Sequence, residues 1–251
     1  MAVQTILHVG SRSSSHFLNV LERYLALLRA LSPTANARAA LLRTVARFWR
    51  RNAQFLLIVV DKLLQYRLLD AQDVVEWVFA VPEGGDARRK TWSDLEHWAA
   101  LSMTLRALEG RAKASKLRWE GMKSEAEATA AGKGASEENG EDIDLAAPTM
   151  AEESEDVKHA RESYEGVKAE LEDVVVEVVR QFARLLPEGV DRDDWETWWV
   201  EGWFREFCRS LAAGKVLGEE GVRRGIEELE LQGGSPVVAI LESARVWEGF
   251  A

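Results

Sequence analysis

The sequence predicts an all-α protein of antiparallel helices, one pair of which is drawn out into a long hairpin. Three observations carry this. Leucine, alanine, glutamate and arginine dominate the 251 residues, and all four form helices readily. Only five prolines and 18 glycines interrupt them. Apolar side chains recur at steps of three and four along most of the chain, which is the period of a helix face.

The first element runs from His16 to Leu31, with Phe17, Leu18, Leu21, Leu25, Leu28 and Leu31 as its apolar stripe. Ser15 is its expected N-cap. Ser32-Pro33 ends it, because a residue before proline is pushed out of the α region. A second helix spans about 36–50, with Leu41, Leu42, Val45, Phe48 and Trp49 on its inner side. A break near Asn52 follows.

The run from Phe55 to Val60 has the look of a buried strand, and Asp61-Lys62 directly after it has the look of a catalytic pair. Leucines at helical spacing continue past Lys62, where a strand of this kind would end, so the run reads as a mostly buried helix. Asp70 then caps another helix, with Asp73 in its first turn facing the positive end of the dipole. Val74, Trp77 and Val78 form its inner face, and Pro82 with Gly84-Gly85 ends it. Four short helices joined by tight turns are the unit of an α-solenoid. No fixed sequence period accompanies them.

Thr91 and Asp94 open a longer helix. Leu95, Trp98, Ala99, Leu101, Leu105 and Leu108 equip its first part to pack, while Lys113, Lys116, Arg118, Lys123, Glu125 and Glu127 make its later part polar. Residues 131–156 hold nine acids and one base, Lys133. Such a segment buries too little surface to offset its ordering entropy, so about 131–150 should be an acidic disordered tip. A second polar helix returns from about Ala151 and turns apolar at Leu171, Val174, Val175, Val178, Val179 and Phe182. The expectation is a projecting helical hairpin over about 92–185. An arm of about 25 residues would reach on the order of 35–40 Å at ~1.5 Å per residue. After Pro187-Glu188-Gly189 a helix starts near Asp193-Asp194. Residues 214–231 make a glycine-spotted helical return, and Ser235-Pro236 supplies an N-cap and N1 pair for a last helix through Trp247.

Composition excludes several classes. A single cysteine, Cys208, leaves no intramolecular disulfide and no zinc site with two thiolates, and points to a reducing compartment. No apolar run approaches ~18 residues, so no membrane span is expected, and the N-terminus lacks the pattern of a signal peptide. The net charge of −10 is uneven. Residues 1–130 carry 19 Lys and Arg against 13 Asp and Glu, whereas residues 131–251 carry 13 against 29. The acidic half disfavours nucleic acid, whose affinity rests on phosphate attraction, and leaves weak binding to the first half.

Candidate sites are few. Adjacent residues on a helix point about 100° apart, so Asp61 and Lys62 read as an exposed corner. His8, His16, His97 and His159 lack the i, i+4 partner of a helical metal site, so no metal or cofactor is expected. No glycine-rich phosphate loop and no nucleophile elbow occurs. Cys208 sits among Phe204, Phe207 and Leu211, as a buried thiol does. Trp195, Trp198, Trp199 and Trp203 follow helical spacing. A core stripe is the ordinary use of that spacing; a partner groove and a base-stacking platform are the functional alternatives. Arg88, Arg89 and Lys90 form a basic turn suited either to solvent or to a phosphate or acidic partner. Nothing points to an enzyme.

Two stretches carry a family resemblance. "SRSSSHFLNVLERYLALLRAL" and then "RTVARFWRRNAQFLLIVVDKLLQYRLLDAQDVVEWVF" resemble the C-terminal domain of the large subunit of the nuclear cap-binding complex. The matching positions are Ser13 to His16, Phe48 to Arg50, Asn52, Gln54, Val60 to Leu63, Asp70, Val74 or Val75, and Trp77 to Phe79. Val179 to Phe182 and Trp195 to Trp199 follow in matching order. The resemblance implies a MIF4G-like, HEAT-type fold of antiparallel helical repeats. It implies a scaffold without catalysis that holds a small RRM-containing cap-binding subunit as a heterodimer. That subunit's aromatics stack on the cap, so this chain would meet capped RNA indirectly, together with other mRNA-processing proteins. It further implies a nuclear complex, shuttling to the cytoplasm, that serves splicing, export and nonsense-mediated decay of capped transcripts. The chain would be only most of the third of three such domains, with upstream helices encoded before Met1. Another MIF4G- or HEAT-like adaptor in translation initiation or RNA decay is the alternative.

Overall fold

The computed structural model describes residues 1–80, 94–134, 154–191, 193–212, 214–231 and 233–248. All regular structure among them is helical. The elements are α1 (Ala2–Gly10), α2 (Ser14–Arg23), α3 (Leu25–Leu31), α4 (Ala35–Trp49), α5 (Ala53–Gln65), α6 (Ala71–Val78), α7 (Leu95–Gly134), α8 (Glu155–Leu185), α9 (Trp195–Ala212), α10 (Glu220–Glu227) and α11 (Pro236–Glu248). They fall into two compact units. One joins residues 1–106 with 173–251, and the other comprises residues 107–172. The acidic segment expected at 131–150 lies outside the described residues beyond Gly134, as do Pro82, Gly84, Gly85 and Thr91.

In the first unit, α1 packs on α2 and α4, and α4 packs on α5 and α6. The helix α1 precedes the first expected element. It closes on α2 where Gly10 meets Phe17: a Cβ at Gly10 would stand 2.9 Å from Phe17 Cδ2. The cap of α2 is Ser13 rather than Ser15; its hydroxyl accepts from the His16 N–H at 3.1 Å. The stretch 16–31 is two helices, because Tyr24 departs from helical dihedrals. Backbone bonds from Tyr24 to Val20 and from Leu28 to Tyr24 still cross the break, so α2 and α3 stay nearly in register. Phe17, Val20, Leu21 and Leu28 are buried, whereas Leu31 is exposed.

The α5 run is a helix through Asp61 and Lys62, with Leu56, Val59, Val60 and Leu63 buried on one side. Asn52 caps it, accepting from the Phe55 N–H at 3.0 Å. Its end is a Schellman turn: Leu68 N–H reaches Leu63 O at 2.9 Å and Arg67 N–H reaches Leu64 O at 3.0 Å, with Arg67 left-handed at φ 55°. Arg29 Nη2 donates to the freed Tyr66 carbonyl at 3.1 Å, a cation at the negative end of the dipole. Tyr66 Oη donates to Glu22 at 2.6 Å, and that bond holds its pKa above the usual 10.0.

The next turn rests on Asp73, only 3% exposed. Its Oδ2 accepts from the Asp70 N–H at 2.7 Å and from Arg38 Nε at 2.6 Å. Arg38 also reaches Asp70 Oδ2 at 3.1 Å, so one guanidinium ties α4 to the N-terminus of α6. The Asp73 hydrogen bond is the main cause that raises the Arg38 pKa.

The second half joins this unit through rings. Phe182 of α8 is fully buried and touches Phe79, Phe204 and Phe207 at centroid distances of 5.3, 5.0 and 6.1 Å. Leu171, Val174, Val175, Val178 and Val179 are buried as their spacing predicted. Of the expected return at 214–231, only Glu220–Glu227 is helical. There a Cβ at Gly225 would meet Val176 Cγ2 at 2.6 Å. Ser235 caps α11 as expected, and its hydroxyl donates to Leu186 O at 3.0 Å.

The second unit pairs the later part of α7 with the first part of α8. Arg111 meets Glu170 at 3.3 Å and Trp119 stacks on Tyr164 at 5.7 Å, so the two segments run antiparallel. Ion pairs at i, i+4, such as Lys116–Glu120 and Lys123–Glu127, support the exposed turns.

Two substitutions test this framework. Arg38→Ala strands the buried Asp73 carboxylate and should cost about 2–4 kcal/mol in urea unfolding. Gly225→Ala, ordinarily favourable within a helix, should instead destabilise by about 1–3 kcal/mol because Val176 must move. An unchanged urea midpoint would refute either assignment.

Candidate functional site

The structure disposes of the catalytic reading of Asp61 and Lys62. Their charged atoms stand 3.6 Å apart on a half-exposed turn. Both are held by Gln65, which donates to Asp61 at 2.7 Å and accepts from Lys62 at 2.8 Å. These contacts all lie within one helix.

Cys208 is buried, as its neighbours suggested. His97 stacks on Trp77 at 4.0 Å and lies 3.8 Å from Asp94, which makes it a packing residue. Among the described residues no group of three or more His, Cys, Asp or Glu could hold a metal, and no helix is long and apolar enough to cross a membrane. Arg88, Arg89 and Lys90 lie outside the described residues.

The tryptophan stripe is a correction. The buried side of α9 is Val200, Phe204, Phe207, Cys208 and Leu211, together with the polar Thr197 and Glu201. Trp195, Trp198 and Trp199 are 68, 64 and 44% exposed. Both sets follow helical spacing, so periodicity alone could not choose between them. Burial went to the side that meets Phe182 and α11. The outer side continues through ring contacts, Trp198 to Trp199 at 6.4 Å, Trp199 to Trp203 at 6.1 Å and Trp203 to Trp98 at 4.5 Å. Leu95, expected to pack, is 76% exposed on the same helix as Trp98. The result is an open aromatic surface. Residues 188–201 around it hold six acids and one base.

A second surface was not singled out from the sequence. Gln4 and His8 of α1 and Thr44, Arg47 and Phe48 of α4, with Arg50 and Arg51 just beyond, line a groove of about 560 Å³. The signal for it was present in the charge run: residues 1–60 contain eight arginines and a single acid, Glu22. Neither surface brings together a nucleophile, a base and an oxyanion donor. Both suit recognition.

Comparison with known proteins agrees with the helical architecture. Residues 1–215 match the family described as MIF4G like. The curated relatives include nuclear cap-binding protein subunit 1 of Arabidopsis thaliana, 38% identical over 86 residues that cover 34% of this chain and 10% of the relative. The protein of the same name from Oryza sativa subsp. japonica is 36% identical over 77 residues, 31% of this chain and 9% of the relative. That of Anopheles gambiae is 28% identical over 106 residues, 42% of this chain and 12% of the relative. The matched stretches thus span about a tenth of the relatives' own length.

The reassigned α9 faces have distinct energetic signatures. Phe204→Ala should cost about 3–5 kcal/mol, and Trp198→Ala less than about 0.5 kcal/mol. Iodide should quench the emission of Trp195, Trp198 and Trp199, measured as the fluorescence lost in their Phe variants. A Trp198→Ala variant as unstable as Phe204→Ala would return the tryptophans to the core.

Proposed function

The chain belongs to the family described as MIF4G like, and from that premise we propose that it is a scaffold part of a nuclear mRNA cap-binding complex. The supporting observation is that the similar relatives named above share one name, nuclear cap-binding protein subunit 1. In this reading the chain performs no catalysis. It supports a small RRM-containing subunit that holds the cap, and it meets capped RNA through that subunit.

The physical character of the chain fits such a role. Several of its described titratable groups are spent on ion pairs within and between helices, as at Arg38, Asp70 and Asp73. Its exposed large apolar side chains include three tryptophans, Trp195, Trp198 and Trp199, and Trp is enriched at the centres of protein interfaces. Residues 92–185 would act as one helical hairpin, a second element for partners to grip. The complex would work in the nucleus, shuttle to the cytoplasm, and serve splicing, export and decay of capped transcripts. Another MIF4G-like adaptor role, in translation initiation or RNA decay, rests on the family match alone.

Co-expression of the tagged chain with the small RRM subunit tests the proposal. The two should co-purify and be retained together on immobilised 7-methylguanosine cap. Co-purification with an initiation helicase instead, with no retention on the cap, would overturn it in favour of the translation adaptor.

A further inference from the structure

We propose that the groove between α1 and the end of α4 binds the phosphate backbone of single-stranded RNA directly, with no need of a cap. The site is defined by Arg47, Arg50 and Arg51, with His8 and Gln4 opposite and Phe48 in the wall. All three arginines are exposed, and among the described residues none makes an ion pair or a side-chain hydrogen bond. This sets them apart. Arg38 is bound to Asp70 and Asp73, Arg29 to the Tyr66 carbonyl, and Arg205 to Glu201.

Three guanidiniums along one wall repel one another and gain nothing for the fold. No carboxylate lines the groove. The one acid of residues 1–60, Glu22, accepts the Tyr66 hydroxyl elsewhere. An anion with several regularly spaced charges relieves that repulsion, and a phosphodiester chain is such an anion. Arginine is also the side chain best shaped to fork onto phosphate oxygens.

Phe48 favours RNA over an acidic peptide. It is half-exposed in the groove wall, and Trp49 packs against it edge to face at 4.9 Å, which fixes the ring. A fixed aromatic ring beside a row of cations is the arrangement that takes single strands, one group stacking a base while the others hold the backbone. Residues 61–251 carry 24 Lys and Arg against 41 Asp and Glu, so their net charge disfavours RNA, whereas residues 1–60 attract it. The site requires neither the small subunit nor a cap, so it stands or falls separately from the scaffold reading.

Fluorescence anisotropy tests it, using the full 251-residue chain and a labelled, uncapped oligouridylate at low salt. Joint replacement Arg47→Gln, Arg50→Gln and Arg51→Gln should weaken binding about tenfold or more. It should also lower the slope of log affinity against log salt by roughly 2, at ~0.7 per phosphate contact. Phe48→Leu should weaken binding and leave that slope unchanged. The pair Arg223→Gln and Arg224→Gln, exposed on α10, should change neither. The proposal fails if the wild type does not bind at low salt, if the triple variant binds as the wild type does, or if the α10 pair weakens binding equally. A polyglutamate peptide that displaces the RNA at equal charge would overturn it in favour of an acidic protein partner.

Discussion

A carboxylate almost wholly removed from water organises the first half of this chain. Ionised Asp73 must recover from the protein the interactions it loses on burial. It recovers two of them through the Asp70 N–H and the Arg38 guanidinium. The first fixes where α6 begins, and the second fixes which part of α4 lies beside it. With α6 placed, Val74, Val75 and Val78 are wholly buried, and Trp77 and Phe79 are delivered to His97 and Phe182. The preceding corner obeys the same demand. Carbonyls freed at the end of α5 are met by the Schellman bonds and by Arg29. The turn between α5 and α6 is therefore specified by polar satisfaction before any apolar contact is counted.

From there the fold is carried by shape. Phe182 receives the Phe79 ring from the end of α6 and the Phe204 and Phe207 rings from α9. Close approach at two other points requires small residues. Gly225 lets α10 lie against Val176, and Gly10 lets α1 turn onto Phe17. A glycine inside a helix ordinarily weakens it by about 0.5–1 kcal/mol. Here the missing side chain is what permits the packing, so the local loss is offset across the interface.

Most of the helical elements were legible because apolar spacing and caps agreed. In α5 the leucines continue beyond Asp61 and Lys62 at helical steps, and the charges sit on the remaining face. Along α8 the apolar steps from Leu171 to Phe182 leave one arrangement, and all six side chains are buried. Reading failed where two signals were equally good. Ser13 and Ser15 can each cap a helix, and only the His16 N–H decides between them. On α9 the tryptophans and the Val200, Phe204, Phe207 and Leu211 set have the same period, and the winner is set by long-range contact with Phe182. The role of Arg38 was hidden because its partner lies 35 residues away and has no local mark. The groove is hidden in the charge balance of the first half, where the acids after residue 60 mask the near absence of acids before it.

Stability and recognition are therefore written in different residues. The buried set is aliphatic and phenylalanine-rich, while three tryptophans and three uncommitted arginines stand outside it. Exposed Trp and Arg contribute little to folding, and an exposed apolar patch or an unpaired row of like charge carries a cost in solubility or repulsion. Elsewhere in the chain that cost is avoided: most basic side chains for which a contact is described have a carboxylate or carbonyl partner. The two surfaces that break this habit, the aromatic side of α9 and the basic wall at the end of α4, are the places where folding explains least. Each pairs a group that is expensive to leave exposed with a lack of internal compensation. Contact with something outside the chain is the remaining source of that compensation.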